Sequence, residues 1–188
     1  MQEIIKKRLQ ESIEVKYLLQ SDEFVGLITQ IATEIIATYR RGGKIILFGN
    51  GGSAADAQHI ACELVGRFMK ERKGLPAIAL TVNTSVLTSI SNDYGYEKVF
   101  VRQLEAIALP GDLIIGISTS GKAENVNQAI SYAKQHHLKT IGFTGGTGGN
   151  LAQLVDICLT IPSKSTPRIQ EAHITVGHIL CELVEEQL

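Results

Sequence analysis

An α/β fold with a five-stranded parallel sheet, flanked by helices on both faces, is predicted by three features of the sequence. Five short apolar runs punctuate the chain, helical patterns separate them, and many of the eighteen glycines gather where a run ends. Connections that contain a helix suit parallel crossovers. The 188 residues, 44% hydrophobic and 20% charged, are enough for one well-buried domain spanning 1–188.

The chain opens with two helical patterns that form a helical extension over 1–41. Ile4, Ile5, Leu9, Ile13, Tyr17 and Leu18 recur at helical spacing. Phe24, Leu27, Ile28, Ile31, Ile35 and Ile36 repeat it before Gly42 and Gly43 stop the second helix. About forty helical residues exceed what one βαβ unit needs, so part of this surface is expected to pack on another subunit.

The first strand, Ile45 to Phe48, runs into Gly49, Asn50, Gly51 and Gly52, and Ser53 then starts a helix. Free N–H groups of a first helical turn, together with the Ser53 hydroxyl, suit a phosphate. Further along the same helix, His59 and Glu63 are four residues apart and share one face. A surface turn followed by a helix pair would give the same pattern.

Further strands are expected over Ala77–Thr81, Asp112–Ser118, Thr140–Phe143 and Asp156–Ile161. A short helix around Val86–Ile90 gives way to SNDYGYE, read as a polar loop at the carboxyl edge of the sheet, where ligands bind open parallel sheets. It carries Asp93. The third strand repeats the logic of the first: Ser118, Thr119, Ser120 and Gly121 supply three hydroxyls and a flexible turn before a helix from Glu124 to Gln135. A helix cap would need only one of them. Neither turn matches the Walker A order, and GNGGSA departs from the dinucleotide fingerprint. Thr144 to Gly149, TGGTGG, is expected to be a mobile loop.

The last helix, about Arg168 to Glu186, sets Gln170, Glu171, His173 and His178 among apolar residues. A histidine on such a helix is most often a satisfied near-core group. Cys62, Cys158 and Cys181 read as reduced core or near-core thiols, without the spacing of a metal or redox motif. Eighteen basic against nineteen acidic side chains leave a net charge of -1, which gives no electrostatic footprint for nucleic acid. No apolar stretch approaches the roughly 20 residues that span a bilayer, and the charged N-terminal helix is unlike a secretory signal, so a cytoplasmic protein is expected.

The segments GNGGSAADAQHIACEL, TSISNDYGYEKVF, ISTSGKAENV and TPRIQEAHITVGHILCELVE resemble the phosphoheptose isomerase (sedoheptulose-7-phosphate isomerase) family of the sugar-isomerase (SIS) fold. The likeness covers nearly the whole chain. It implies conversion of D-sedoheptulose 7-phosphate to D-glycero-D-manno-heptose 7-phosphate through an enediolate, the first committed step toward the heptose of bacterial surface polysaccharide. It also implies a cytoplasmic homotetramer with sites between subunits and one zinc per subunit. Metal-ligand positions fall on His59, Glu63, Gln170 and His178. Substrate positions fall on Asn50, Gly51, Gly52, Ser53, Asp93, Ser118, Thr119, Ser120 and Gln170, and the acid-base pair on Glu63 and His178. Ala123 departs from the family, many members of which carry a serine there. A non-catalytic tetrameric scaffold that binds the bacterial replication initiator has the same fold, but it lacks the full acid-base set that Glu63 and His178 supply here.

The spacing of this ligand set raises one difficulty. Gln170 and His178 are eight residues apart, about 12 Å along an unbroken helix, too far for both to reach one metal at about 2.1 Å. Either the helix starts after Gln170, or a neighbouring chain donates one of the two.

Overall fold

The computed structural model describes residues 1–188. Strands β1 (Ile45–Gly49), β2 (Ala77–Ala79), β3 (Leu113–Ile117), β4 (Lys139–Gly145) and β5 (Ile157–Ile161) form one parallel sheet in the order β2-β1-β3-β4-β5. The expected strands and their parallel pairing are all present, with ends shifted by up to two residues. β1 and β3 align Ile45 with Leu113 and Gly49 with Ile117.

Alternation along these strands feeds two cores. Ile45, Leu47, Leu113, Ile115, Ile117, Ile141 and Phe143 face one side. There they meet α2 (Asp22–Arg40), α3 (Gly52–Val65) and α8 (Thr166–Gln187) through Ile31, Ile35, Ile60, Leu64, Val176 and Leu180. Ile46, Phe48 and Ile114 face the other side, against α5 (Val101–Ile107), α6 (Glu124–Gln135) and α7 (Leu151–Leu154). Gly116 lets α6 sit close, because a Cβ there would meet Val126 and Ile130 at 3.1–3.2 Å.

The two N-terminal helices differ. Helix α2 begins at a Ser21 cap and buries Ile28, Ile31 and Ile35 in the first core. Helix α1 (Gln2–Leu18) buries only Val15, and leaves Ile4, Leu9 and Tyr17 at 63%, 60% and 72% exposure. No helix is long and apolar enough to cross a membrane.

Three expectations need correction. Helix α4 (Thr84–Tyr94), started by an Asn83 side-chain cap, runs past Ile90 through Asp93, so of the expected polar loop only Gly95, Tyr96 and Glu97 lie outside it, the last two in a 3-10 turn, Tyr96–Lys98. Ser91, Asn92 and Asp93 read as turn formers by composition, but the capped helix simply continues through them. Thr144 and Gly145 belong to β4, and the turn beyond is pinned by Gly148 N to Gly145 O at 3.0 Å and Leu151 N to Gly121 O at 3.0 Å. Cys62 is exposed, because it lies on the side of α3 away from Ile60 and Leu64; Cys158 is half-buried and Cys181 buried.

Candidate functional site

The strand order reverses direction between β1 and β3. The chain leaves β1 for β2 on one side and returns to β3 on the other, so α3 and α6 lie on opposite faces and their first turns splay apart. Such a switch point opens a crevice at the carboxyl ends of the strands. Both expected turns lie there. Gly51 takes φ +56°, in the left-handed region that glycine tolerates, and neither α3 nor α6 has a side chain capping it from the N-cap position.

The turns touch. A Cβ on Gly49 would lie 2.8 Å from Ile117 O and 2.8 Å from the Ser53 Cβ, so only glycine lets α3 begin against the end of β3. Ser53 and Ser118 are buried at 3% and 6% exposure and form the floor, while Thr119 is half-buried and Ser120 exposed at the rim. Asn50 crosses the crevice: it exchanges two hydrogen bonds with Asn125, both 2.9 Å, and accepts one from the Tyr96 hydroxyl at 3.0 Å.

A second cluster lies further along α3. His59 Nε2 is 3.0 Å from Glu63 Oε1 and 3.2 Å from His178 Nε2. The three ligand atoms fall within 4.8 Å of one another. One imidazole nitrogen carries at most one proton and so cannot donate in both directions. Two imidazole nitrogens and a carboxylate oxygen meeting at a point suit a divalent cation such as zinc with an open position. His59 is 47% exposed and Glu63 23%, so the cluster is open to solute.

Gln170 does not join it. Helix α8 begins at Thr166, which removes the possibility of a helix starting after Gln170, and the Gln170 amide lies instead against Gly52, where an added Cβ would be 2.3 Å from Nε2. The side chain expected as a fourth ligand therefore borders the glycine turn after β1. Asp93 is exposed and accepts from the adjacent Asn92 at 2.8 Å. Within one chain the structure thus unites His59, Glu63 and His178, groups Asn50, Ser53 and Ser118–Ser120, and leaves Asp93 apart.

Sequence reasoning missed several residues here. Asn125 and Tyr96 were not singled out, although an asparagine two residues into a helix that follows a hydroxyl-rich turn was a usable signal. Asp56, one turn before His59, keeps a buried Oδ2 with no partner; burial raises its pKa to about 6 against the opposing pull of His59. His173 was grouped with His178 but lies in the core, where burial lowers its pKa to about 4 although its Nε2 meets Thr144 O at 3.0 Å. A surface groove of about 700 Å³ lies elsewhere, between α5 and α6. Its charges are already engaged, Arg102 with Glu105 at 2.6 Å and Lys98 with Gln128 at 2.8 Å.

Residues 19–145, which include the switch-point crevice and both turns, match the SIS domain family. A phosphoheptose isomerase of Aneurinibacillus thermoaerophilus is 54% identical over 189 aligned residues, covering 100% of this chain and 96% of that protein; one of Aquifex aeolicus is 54% identical, covering 100% and 98%. The solved phosphoheptose isomerase structure from Neisseria gonorrhoeae superposes with a TM-score of 0.93 at 39% identity, covering 98% of both chains. That from Francisella tularensis gives 0.94 at 34%, covering 98% and 97%. The chain belongs to the phosphoheptose isomerase family.

Proposed function

We propose that the chain isomerises D-sedoheptulose 7-phosphate to D-glycero-D-manno-heptose 7-phosphate by acid-base catalysis through an enediolate. The observation that carries this reading is the meeting of His178 with His59 and Glu63, which lie on the helix that starts from the first of the two turns at the switch point. Family membership supports the seven-carbon phosphate.

In this reading the phosphate lies against Gly51, Gly52, Ser53 and Ser118–Ser120. Asn50, held by Asn125 and Tyr96, orients a sugar hydroxyl. Moving the carbonyl between C2 and C1 needs a base for the carbon-bound proton and a partner that carries protons at oxygen. Glu63 takes the first role and His178 the second, with His59 between them. His59, Glu63 and His178 would hold zinc, one per subunit, which supplies charge stabilisation for an anionic oxygen. Gln170 and Asp93 enter the site only on the substrate side or from a neighbouring subunit.

Residues 1–188 act as one cytoplasmic domain within a homotetramer. The exposed apolar stripe of α1 supports assembly. The test is turnover of sedoheptulose 7-phosphate, followed by solvent-deuterium incorporation at the migrating hydrogen, with the unphosphorylated sugar in parallel. Expected are exchange coupled to turnover and much weaker binding of the free sugar. An inactive wild type, with or without added zinc, overturns the enzyme reading in favour of a non-catalytic scaffold.

A further inference from the structure

His178 is held by more than its partners in the cluster. The ring of Phe68 stacks on its imidazole at 5.6 Å between centroids and 29° between planes, and His59 meets the same imidazole edge-on at 4.9 Å. Phe68 lies on the segment after α3, which has no regular secondary structure of its own.

That segment is nevertheless tightly fixed. Glu185, only 6% exposed, lies seven residues beyond His178 on α8 and so two turns along the same face. Its carboxylate accepts from Phe68 N at 3.0 Å, Met69 N at 2.6 Å and Lys70 N at 2.7 Å, and from Arg72 Nε at 3.0 Å. Arg72 in turn donates to the carbonyls of Leu64 and Glu63, both at 2.9 Å. Burial alone would raise the pKa of Glu185, but these donors pull it down to about 2, so the carboxylate stays charged. One ionic knot therefore ties the end of the helix bearing Glu63 to the helix bearing His178, and Phe68 is the side chain it presses onto the imidazole.

We propose that Phe68 is a positioning residue for the isomerisation, an aromatic stop that keeps the His178 ring turned toward His59 and Glu63, with Glu185 and Arg72 setting its place. The proposal rests on the acid-base reading of Glu63 and His178. A ring on a half-exposed helix face would otherwise turn about its side-chain torsions, and groups that orient functional histidines are typically worth about 10–100-fold in activity or metal affinity.

Phe68→Leu and Phe68→Tyr separate orientation from packing, since leucine keeps apolar bulk and tyrosine keeps the ring. Steady-state kinetics on sedoheptulose 7-phosphate should show kcat down about 10–100-fold in Phe68→Leu, with KM and melting temperature little changed, and recovery in Phe68→Tyr. In NMR spectra of the full chain, the His178 Cε1–H resonance should move downfield in Phe68→Leu as the ring current is lost, and stay in place in Phe68→Tyr. Glu185→Gln should lower kcat in the same direction; if that variant fails to fold, the Phe68 pair decides alone. An unmoved resonance in Phe68→Leu, unchanged kcat, or a tyrosine variant as impaired as the leucine overturns the proposal. A wild type without turnover defeats the functional reading instead, and the resonance then still decides whether Phe68 holds the ring.

Discussion

At their amino ends the strands are closed by two aspartates. Asp112, just before β3, accepts from Lys44 N at 3.0 Å, Lys44 Nζ at 2.5 Å and Leu109 N at 2.8 Å. Asp156, just before β5, pairs with Lys134 and accepts from Thr140 N and Oγ1, both at 2.9 Å. At the carboxyl ends, glycines and hydroxyls replace the ion pairs, and Asp56 Oδ2, Asn127 Oδ1 and His173 Nδ1 are buried without partners. Unpaired buried polar groups cost about 1–3 kcal/mol each. The two aspartates at the amino end are thus fully engaged, although Tyr39 Oη near them has no partner, and at the other end Asp56 and Asn127 keep unpartnered oxygens beside the crevice.

Chemistry should separate the two ends most sharply. Glu63→Gln and His178→Gln should each lower turnover by about 10²–10⁴-fold, with melting temperature close to wild type because both side chains lie outside the core. Loss of deuterium exchange together with turnover would fix Glu63 as the carbon base. A Glu63→Gln enzyme with undiminished isomerisation would remove it from the reaction.

The opposite end should answer in stability alone. Asp112→Ala leaves Lys44 and two backbone donors without their carboxylate, and removing one partner of a buried pair costs about 3–5 kcal/mol. Urea unfolding should show that loss, while kcat of the folded fraction stays within about twofold, as expected for residues that share no partners with the site. A large fall in kcat at unchanged stability would mean that the two ends are coupled.

This contrast also explains what could be read from the chain. Strand positions, parallel pairing and the two turns were legible because apolar period and glycine placement are local properties of the sequence. The union of His59 with Glu63 was legible for the same reason, being set by i,i+4 spacing. Its third member needed two helices to cross, which Gly177 permits by lying where a Cβ would be 2.8 Å from Ile60. Gln170 lies against Gly52 within one chain, as the eight-residue spacing from His178 on one unbroken helix led one to expect. Glu185 and Phe68 could not be singled out from the sequence, since nothing local marks a carboxylate that collects donors from more than a hundred positions away.

Acid should loosen the two ends at different pH. His173 is neutral in the folded protein, with a pKa lowered to about 4, whereas the unfolded chain takes up the proton near 6.5. Its contribution is therefore complete above pH 6.5 and lost as pH falls toward 4, at most about 3 kcal/mol. For Asp156, burial favours protonation but Lys134 and Thr140 outweigh it and lower its pKa, so its clamp is lost only below the usual aspartate range. Melting temperatures should fall between pH 6.5 and 4 in wild type and much less in His173→Gln, whose amide can still donate to Thr144 O. Equal slopes would show that another group governs the acid limb.

The smallest effect should come from Ala123, where the hydroxyl-bearing turn meets the start of α6. Ala123 is the N-cap of α6, with extended backbone at φ -65° and ψ 113°, and it offers no side-chain bond. A serine cap over alanine is worth about 0.5–2 kcal/mol in general. Here Asn125 Oδ1 already accepts from Val126 N at 2.9 Å, so one of the orphan donors is satisfied, and the gain in Ala123→Ser should fall at or below the lower limit. The added hydroxyl would instead stand beside Ser120 and Thr119 with its proton free for a phosphate oxygen. KM for the 7-phosphate should therefore drop severalfold, as expected for one added hydrogen bond of about 1 kcal/mol, while kcat and melting temperature hardly move. A rise in melting temperature without a change in KM would make Ala123 a matter of helix capping alone and would take the start of α6 out of the phosphate cradle.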